Sequence, residues 1–397
     1  MTRRDLRQAR VLASPNAFKL ATFGFNAQGG VTITKAPGTA DTDWAQQVRI
    51  ARASDRAGIE AIVPGARWMG YGGETNFQGR SFETLSWAAG LAGVTERCQV
   101  FATVHFTTIH PVRLAKTIAT IEHIAGGRLG INWVAGWNPD EAAMFIGEQR
   151  EHDDRYAYAE DFLGLLNQLL DTPGESAWHG PFFDYARLVS DPKPIQSPRP
   201  VYMAAGLSPR GRDFAGGYAD ISFVPAHGGP DAMRDLVANT KGRAAANGRE
   251  IKTFGQSVIV CRDSEAEARD YLNWYVEEQG DFAAAENLVR MLFGETRDEH
   301  GNVRQLPPEV QRARARGAVA AHGGAVILGT PTQVVEQYQR LAATGMDGAT
   351  VSWLNFEEGL EQFRTTLLPL MIDAGLRADE GIDTTHAADM SAVDETA

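Results

Sequence analysis

The sequence contains little cysteine and no long apolar run. Only two of its 397 residues are cysteine, Cys98 and Cys261. Their number and separation give neither a disulfide framework nor the spacing of a metal-binding cluster, which is typical of a protein from a reducing compartment. No window approaches 18 uncharged apolar residues, about the length that a membrane-spanning helix needs. We therefore expect a cytoplasmic protein with no membrane partner.

An excess of positive charge is also absent. The chain has 38 Lys and Arg against 50 Asp and Glu, for a formal net charge of -12. Such a surface repels nucleic acid, so we expect no nucleic-acid partner. Residues 1–18 carry an Arg pair without the apolar stretch of a signal peptide, which predicts a loose N-terminal arm. Residues 377–397 are acidic with few large apolar side chains, which predicts a disordered tail.

Two common enzyme fingerprints are missing from the predicted first strand, "LATFGFN" at residues 20–26. No GxGxxG follows it, which argues against an open sheet that binds a nicotinamide dinucleotide. It also lacks the His-x-His pair that a metal-dependent barrel hydrolase would need. Both classes are therefore weak hypotheses.

The sequence does contain a regular alternation of strand-like and helix-like segments. Eight strand-like runs occur at residues 20–26, 59–65, 99–106, 128–134, 200–206, 220–226, 253–261 and 348–354. Helical periodicity after each run predicts an α/β fold, a (β/α)8 TIM barrel over residues 19–376. A long insertion, residues 280–326, precedes the last strand. Segments of this length are commonly lids, so we expect a mobile lid, with a helical decoration as the alternative.

Polar residues near the ends of strands three and four are the first candidates for a site, because barrel enzymes act at the carboxyl ends of their strands. Alternation places Thr103 and His105 on one face, and Asn132 on the same face as Gly130. These side chains offer hydrogen bonds and leave room for a flat heterocycle. A buried amide without partners costs roughly 1–3 kcal/mol. Asn132 must therefore meet either neighbouring backbone or a ligand.

A second candidate site has the residue types of a phosphate pocket. Arg155 and Tyr156 open a long predicted helix and could bind phosphate oxygens, although an Arg on a helix is commonly a solvated residue. After the fifth strand, Gly206 and Ser208 precede a helix with proline in its first turn. Backbone amides and a hydroxyl at such a helix start can hold an anion.

Six motifs carry a resemblance to a known family. They are "GYGGETNF" (70–77), "GGRLGINWVAGWNPDE" (126–141), "HDDRYAYAEDF" (152–162), "WHGPFFDY" (178–185), "SDPKPIQSPRP" (190–200) and "AAGLSPRGRDFAGGYAD" (204–220). With them the sequence resembles the bacterial luciferase-like, flavin-dependent monooxygenases. Within that family it is most similar to the branch of pyrimidine oxygenase and dimethyl sulfone monooxygenase. The resemblance covers residues 19–373.

The resemblance implies a two-component enzyme. A separate NAD(P)H:flavin reductase would supply FMN as FMNH2, and O2 would convert it to a flavin peroxide. That species would oxygenate, or cleave at a C–S, C–N or C–halogen bond, a small apolar or heteroaromatic substrate. A homodimer or homotetramer is implied as well. The alternatives are a deazaflavin-dependent oxidoreductase on the same barrel and a flavin-binding protein without turnover.

The resemblance also implies residue roles in the cofactor site. It places Thr103 at the reactive edge of the flavin, where oxygen would be met. The other cofactor positions that it implies are Ala66, Arg67, Asn132 and Glu141 near the ring, and Arg155, Tyr156, Gly206 and Ser208 around the phosphate end.

The sequence departs from the family in the residues expected to meet the substrate. Arg67 stands where the pyrimidine branch has lysine, and His105 and Phe106 stand where small residues are usual. A lone histidine is more often a packed structural residue, but His105 falls at a strand end, so we consider it a candidate catalytic residue. The candidate substrate residues are Trp68, Met69, Phe106, Trp137, His227 and Trp353. Their aromatic character suits an apolar or aromatic substrate.

Overall fold

A closed parallel β-barrel forms the centre of the protein. The structure is a computed structural model that describes residues 3–136, 138–147, 150–206, 208–226, 228–293, 307–382 and 384. The strands in these ranges are β1 (Arg4–Asp5), β2 (Lys19–Phe23), β3 (Ala61–Val63), β4 (Gln99–His105), β5 (Leu129–Val134), β6 (Ser176–His179), β7 (Asp184–Leu188), β8 (Gln196–Ser197), β9 (Val201–Ala204), β10 (Ile221–Val224), β11 (Lys252–Cys261), β12 (Ala325–Gly329) and β13 (Gly348–Ser352).

Eight of these strands close the barrel. In spatial order they are β2, β3, β4, β5, β9, β10, β11 and β13, and β13 pairs again with β2. All of these pairings are parallel. The eight strands correspond to the eight predicted runs, so the predicted (β/α)8 barrel is confirmed.

Helices surround the barrel. The α-helices among the described residues are α1 (Arg10–Ala13), α2 (Trp44–Arg56), α3 (Thr84–Ala92), α4 (Pro111–Ile124), α5 (Pro139–Ile146), α6 (His152–Asp171), α7 (Pro209–Tyr218), α8 (Pro230–Ala246), α9 (Glu265–Asn273), α10 (Phe282–Phe293), α11 (Pro308–Ala321), α12 (Pro331–Ala342), α13 (Phe356–Gln362) and α14 (Leu368–Asp373). Within the described ranges, none of the helices is long and apolar enough to span a membrane.

Local signals set where several helices begin. The Asp43 carboxylate accepts the first free N–H groups of α2. Thr330 and Gln333 form a reciprocal capping box at α12. Such caps satisfy donors that the helix itself leaves unpaired, which fixes the first residue of each helix.

The barrel interior changes from apolar to polar toward the carboxyl ends of the strands. Its lower part contains Val63, Phe101 and Phe254. A Cβ atom on Gly130 would lie 2.5 Å from the Phe101 ring, so this glycine makes room for the phenylalanine. One inward position further along β4, Thr103 is in register with Asn132. The site residues therefore lie directly above a packed core.

The described parts of the predicted lid are regular structure. They comprise α10, α11 and β12, and β12 pairs with the part of β11 that continues beyond the barrel rim. Asp281, which precedes α10, accepts from Thr75 N (2.7 Å) and Thr75 Oγ1 (2.8 Å), and Asn287 Nδ2 donates to Tyr71 O (2.8 Å). Asp281 and the start of α10 are thus attached to the loop after β3. The rest of the predicted lid, 294–306, lies outside the described residues.

The N-terminal residues do not form the loose arm that we expected. Strand β1 pairs with β8, and Arg3 Nη1 donates to Asp171 Oδ1 at 2.8 Å. Val11 is fully buried. Sequence patterns missed this attachment because its partners lie far along the chain. Most of the predicted disordered tail, residues 383 and 385–397, lies outside the described residues.

A buried ion pair joins both termini to the amino end of the barrel. Arg377 Nη1 lies 3.0 Å from Glu60 Oε2, and their side chains are 1% and 0% exposed. Glu60 also accepts from Ser14 Oγ (2.9 Å) and Leu20 N (2.8 Å). Burial would raise the pKa of Glu60, but Arg377 and the hydrogen bonds from Leu20 N and the Asn16 side chain outweigh it and hold the pKa below its usual value. The carboxylate is therefore charged and compensated.

We expect Arg377→Met to lower the free energy of unfolding by about 3–5 kcal/mol, because Glu60 would remain charged and buried without its partner. Arg187→Met is the matched control. It breaks a pair with Glu175 whose side chains are 78% and 55% exposed, and such pairs contribute about 1 kcal/mol or less. Urea unfolding at pH 7 measures both losses, and equal losses would contradict the assignment.

The same pair has a defined pH dependence. Because the folded pKa of Glu60 is lowered, its stabilisation is complete above the unfolded pKa of roughly 4.3 and is lost as the pH falls through the folded value. The difference in the free energy of unfolding between the original protein and Arg377→Met should therefore be constant above the unfolded pKa of Glu60 and decrease only below it.

Candidate active site

A cavity of about 950 Å³ opens at the carboxyl ends of β3 and β4. At this end it is lined by Ala66, Arg67, Trp68, Thr103 and His105, and it continues outward between α3 and α4. Five residues predicted from the sequence thus line one cavity.

A chain of hydrogen bonds lies at the floor of the barrel mouth. Thr103 Oγ1 donates to Pro64 O at 2.6 Å, and Asn132 Nδ2 donates to Thr103 Oγ1 at 3.1 Å. Asn132 is 4% exposed, and its Oδ1 has no hydrogen-bond partner among the described residues. Protein groups therefore satisfy the amino half of the amide, and the carbonyl half is a buried acceptor without a partner in the described part of the protein.

Glu141 connects α5 to the loop after β3. Asn138 caps α5 and places Glu141 in its first turn. The carboxylate accepts from Arg67 Nη1 at 3.2 Å on both oxygens, from Trp68 N at 2.9 Å and from Met69 N at 3.3 Å. The Arg67 and Glu141 side chains are only 9% and 3% exposed. The Arg67 charge is therefore balanced inside the protein.

His105 is a neutral group in this environment. It is 6% exposed on the inner face of β4. Burial and the nearby Arg67 charge lower the pKa of His105 to about 4, and Glu141 opposes them only in part. At physiological pH the imidazole can exchange hydrogen bonds but contributes no charge.

The start of α7 brings together most of the predicted phosphate residues. Ser208 Oγ accepts from Gly211 N at 3.0 Å. A Cβ atom on Gly211 would lie 2.6 Å from Tyr156 Oη and 2.8 Å from Gly206 Cα. The phenol, the two glycines and the helix start therefore form one small cradle, of the kind that binds anions.

Arg155 has a different contact. Its Nη1 donates to the carbonyl oxygen of Gly136, in the loop after β5. This bond holds the loop that leads into α5. The structure thus places Arg155 beside that loop.

Two predicted substrate residues lie away from the cavity. Phe106 is 2% exposed and stacks on Trp133 at 5.0 Å between ring centroids, with 8° between the ring planes. It follows the inward-facing His105, so strand alternation turns it outward into the core. Trp353 is 4% exposed and packs against Phe356 beside α13. Neither side chain lines the cavity at the strand ends, which corrects that expectation.

The remaining predicted substrate residues have different outcomes. Trp68 and Met69 are 41% and 42% exposed at the rim, where the Trp68 ring lies 4.8 Å from that of Phe145 on α5. Trp137 and His227 lie outside the described residues.

Sequence reasoning missed several residues of the mouth. The rings of Phe23 and Phe223, on β2 and β10, lie 5.9 Å apart. Alternation could have identified both as inward-facing. His322, at the end of α11, lies 5.8 Å from the Phe77 ring, and burial together with the Arg67 charge lowers its pKa to about 3. No local pattern connects His322 to Arg67, so only the tertiary structure identifies it.

In the ranges that the structure describes, no group of three or more acidic, cysteine or histidine side chains is arranged to hold a metal ion.

We expect the His105 imidazole to titrate with a pKa near 4, and with a lower pKa in Glu141→Gln, because Arg67 would then be unopposed. NMR titration of the ring signals, assigned with His105→Gln, measures both values. Since the folded pKa lies below the unfolded value of about 6.5, protonation favours the unfolded state, and stability should rise with pH between about 4 and 6.5. A midpoint near 6.5 would contradict the buried, neutral assignment.

The chain is similar to several known monooxygenases. The chain is 28% identical to the FMNH2-dependent dimethylsulfone monooxygenase of Pseudomonas putida, over 89% of this chain and 95% of that protein. It is 30% identical to the pyrimidine monooxygenase of Enterobacter cloacae subsp. cloacae, over 76% of this chain and 82% of that protein. Among solved structures, EDTA monooxygenase from Chelativorans sp. shares the fold, with a TM-score of 0.76, 22% identity and coverage of 94% and 96%.

The family profile gives the broader assignment. Residues 20–348 match the luciferase-like monooxygenase family. This range begins at the second residue of β2 and ends at the first residue of β13, so it includes almost all of the barrel. The chain therefore belongs to the luciferase-like monooxygenase family.

Proposed function

We propose that this protein is an FMNH2- and O2-dependent monooxygenase that receives FMNH2 from a separate NAD(P)H:flavin reductase. Its substrate is a small, uncharged apolar or heteroaromatic molecule, which it oxygenates or cleaves oxidatively at a C–S, C–N or C–halogen bond. Family membership and the FMNH2-dependent relatives support the cofactor and the class of reaction. The observation that carries the proposal is the buried, unpartnered Asn132 Oδ1 at the barrel mouth.

The residues fit FMN at two places. Asn132 Oδ1 is an acceptor that matches an N–H group of the isoalloxazine. The cradle at α7 offers a helix N-terminus and the Ser208 and Tyr156 hydroxyls, which match a phosphate. Bound reduced FMN supplies two electrons, so that one atom of O2 enters the substrate and the other leaves as water.

The protein holds and shields these reactants. Asn132 orients the ring, and the cradle of Gly206, Ser208, Gly211 and Tyr156 holds the phosphate. The loop that begins at Arg67 is fixed by Glu141 and covers one side of the mouth. Fixed polar groups in a site that excludes water favour the oxygenation of the substrate over side reactions.

The charge balance of the cavity supports an uncharged substrate. At its strand-end part the charge of Arg67 is compensated by Glu141, and the other charged lining residues lie farther out, before or on α3 and α4: Arg80, Glu83, Arg113 and Lys116. His105 beside it is neutral at physiological pH. Phe23 and Phe223 add apolar surface at the mouth. A buried ion on the substrate would therefore lose hydration without gaining a free partner.

We expect Gly211→Ala to weaken FMN binding by about tenfold or more, because the added methyl group would displace Tyr156 Oη and Gly206 from the phosphate. Riboflavin, which lacks the phosphate, should bind as before. Gly217→Ala is the matched control on the same helix, since its Cβ meets nothing within 4 Å. Fluorescence titration with both flavins measures the effect. An equal loss for FMN and riboflavin would contradict a phosphate cradle.

We expect oxygen-dependent product formation when the protein, FMNH2 and O2 meet a suitable substrate. The test follows oxygen uptake, hydrogen peroxide and product across sulfones, heteroaromatics and haloaromatics. An added sulfonate series should react poorly because Arg67 is already paired. Turnover without oxygen and with a deazaflavin would instead indicate the deazaflavin-dependent alternative. Oxygen uptake that yields only hydrogen peroxide with every compound would contradict the proposed substrate class.

A further inference from the structure

We propose that Asn132 contacts the flavin only through its carbonyl oxygen and thereby favours reduced FMN, and that Thr103 is a positioning residue which fixes this orientation. The inference rests on the proposed use of FMNH2. In this inference the Asn132 amide is the group that selects reduced over oxidised FMN.

The direction of the hydrogen bonds follows from the chemistry of three groups. The Pro64 carbonyl can only accept, so Thr103 Oγ1 uses its single hydrogen in the 2.6 Å bond to it. The hydroxyl can then only accept from its neighbour at 3.1 Å. Of the two ends of the Asn132 amide, only the amino group can donate. The carbonyl oxygen must therefore point away from Thr103.

Further hydrogen bonds and the strand register fix the backbone around Pro64, Thr103 and Asn132. Thr103 and Asn132 are in register on β4 and β5. Thr103 O accepts from Thr84 Oγ1 at 2.6 Å. Gly65, next to Pro64, donates its N–H to Asn26 Oδ1 at 2.8 Å, and its carbonyl oxygen accepts from Asn26 Nδ2 at 2.7 Å. A flipped amide would bring two acceptors together at Thr103. The orientation is thus built in before a ligand binds.

These hydrogen bonds give Thr103 a role that differs from the one implied by the resemblance. Because its hydrogen is engaged by Pro64, the hydroxyl does not offer a donor to oxygen or to the flavin. Its effect on the flavin passes through Asn132. Thr103 therefore acts by position, which differs from the contact with oxygen that the resemblance implied.

A lone acceptor distinguishes the two redox states of a flavin. Among the ring nitrogens that change on reduction, N5 carries a lone pair in the oxidised form and a hydrogen in the reduced form. We assign this nitrogen as the partner of Asn132 Oδ1. The oxygen, which has no partner in the described part of the protein, would repel the oxidised form and accept from the reduced form.

The test compares anaerobic affinities for FMN and FMNH2, without substrate. For Asn132→Ala we expect the preference for FMNH2 to fall at least tenfold, which corresponds to about 30 mV in the potential of the bound two-electron couple. Thr103→Val should lower the preference in the same direction, whereas Thr103→Ser, which keeps the hydroxyl, should not. Circular dichroism melting checks the fold, and Asn132→Ser serves if the alanine variant does not fold.

A cofactor analogue makes the test specific. In 5-deaza-FMN a carbon replaces the assigned nitrogen, so the reduced analogue has no N–H there. Asn132→Ala should therefore leave the ratio of affinities for its two redox forms unchanged. An equal loss for FMN and FMNH2 in Asn132→Ala, or an unchanged ratio in Thr103→Val, would overturn the inference.

Failure of the inference and failure of the proposed function give different results. Normal redox selectivity in the original protein and its loss in the variants, without any oxygenated product, would count against the proposed function alone. Oxygenation by the original protein together with unchanged ratios in the variants would overturn the inference alone.

Discussion

The register between β4 and β5 places Thr103 beside Asn132, and the polar chemistry of the barrel mouth depends on this pairing. A shift of either strand by one residue would turn the side chain of that strand out of the barrel and break the pairing. The closed sheet prevents such a shift, because Phe101 and Gly130 interlock one layer below. A packed apolar layer thus fixes the geometry of the polar layer above it.

The Arg67–Glu141 ion pair gives the mouth its second property, a balanced charge. It joins the loop after β3 to α5, and it influences His105 and His322 through the charge of Arg67. An arginine with a free charge would attract anions to this cavity. Since the pair is closed and His105 and His322 are neutral at physiological pH, the charge of Arg67 is balanced within the protein.

The segment expected to be a lid has a structural role in its described parts. Its helices and β12 pack on a second apolar cluster that includes Tyr275, Leu288 and Val319. Asp281 and Asn287 hold the loop that follows Arg67. The described part of the insertion is therefore attached to the loop that follows Arg67, and its mobility as a lid stays a prediction.

The sequence by itself determined the eight barrel strands and the inward face of Thr103, His105 and Asn132, because period-two alternation and the breaks between segments are local properties. The tertiary structure decided which groups meet. It turned Phe106 into the core, joined β12 to β11, fixed the N-terminal residues, and brought His322 near Arg67. These contacts join residues far apart in the chain, and their energies depend on packing and burial that no local pattern encodes.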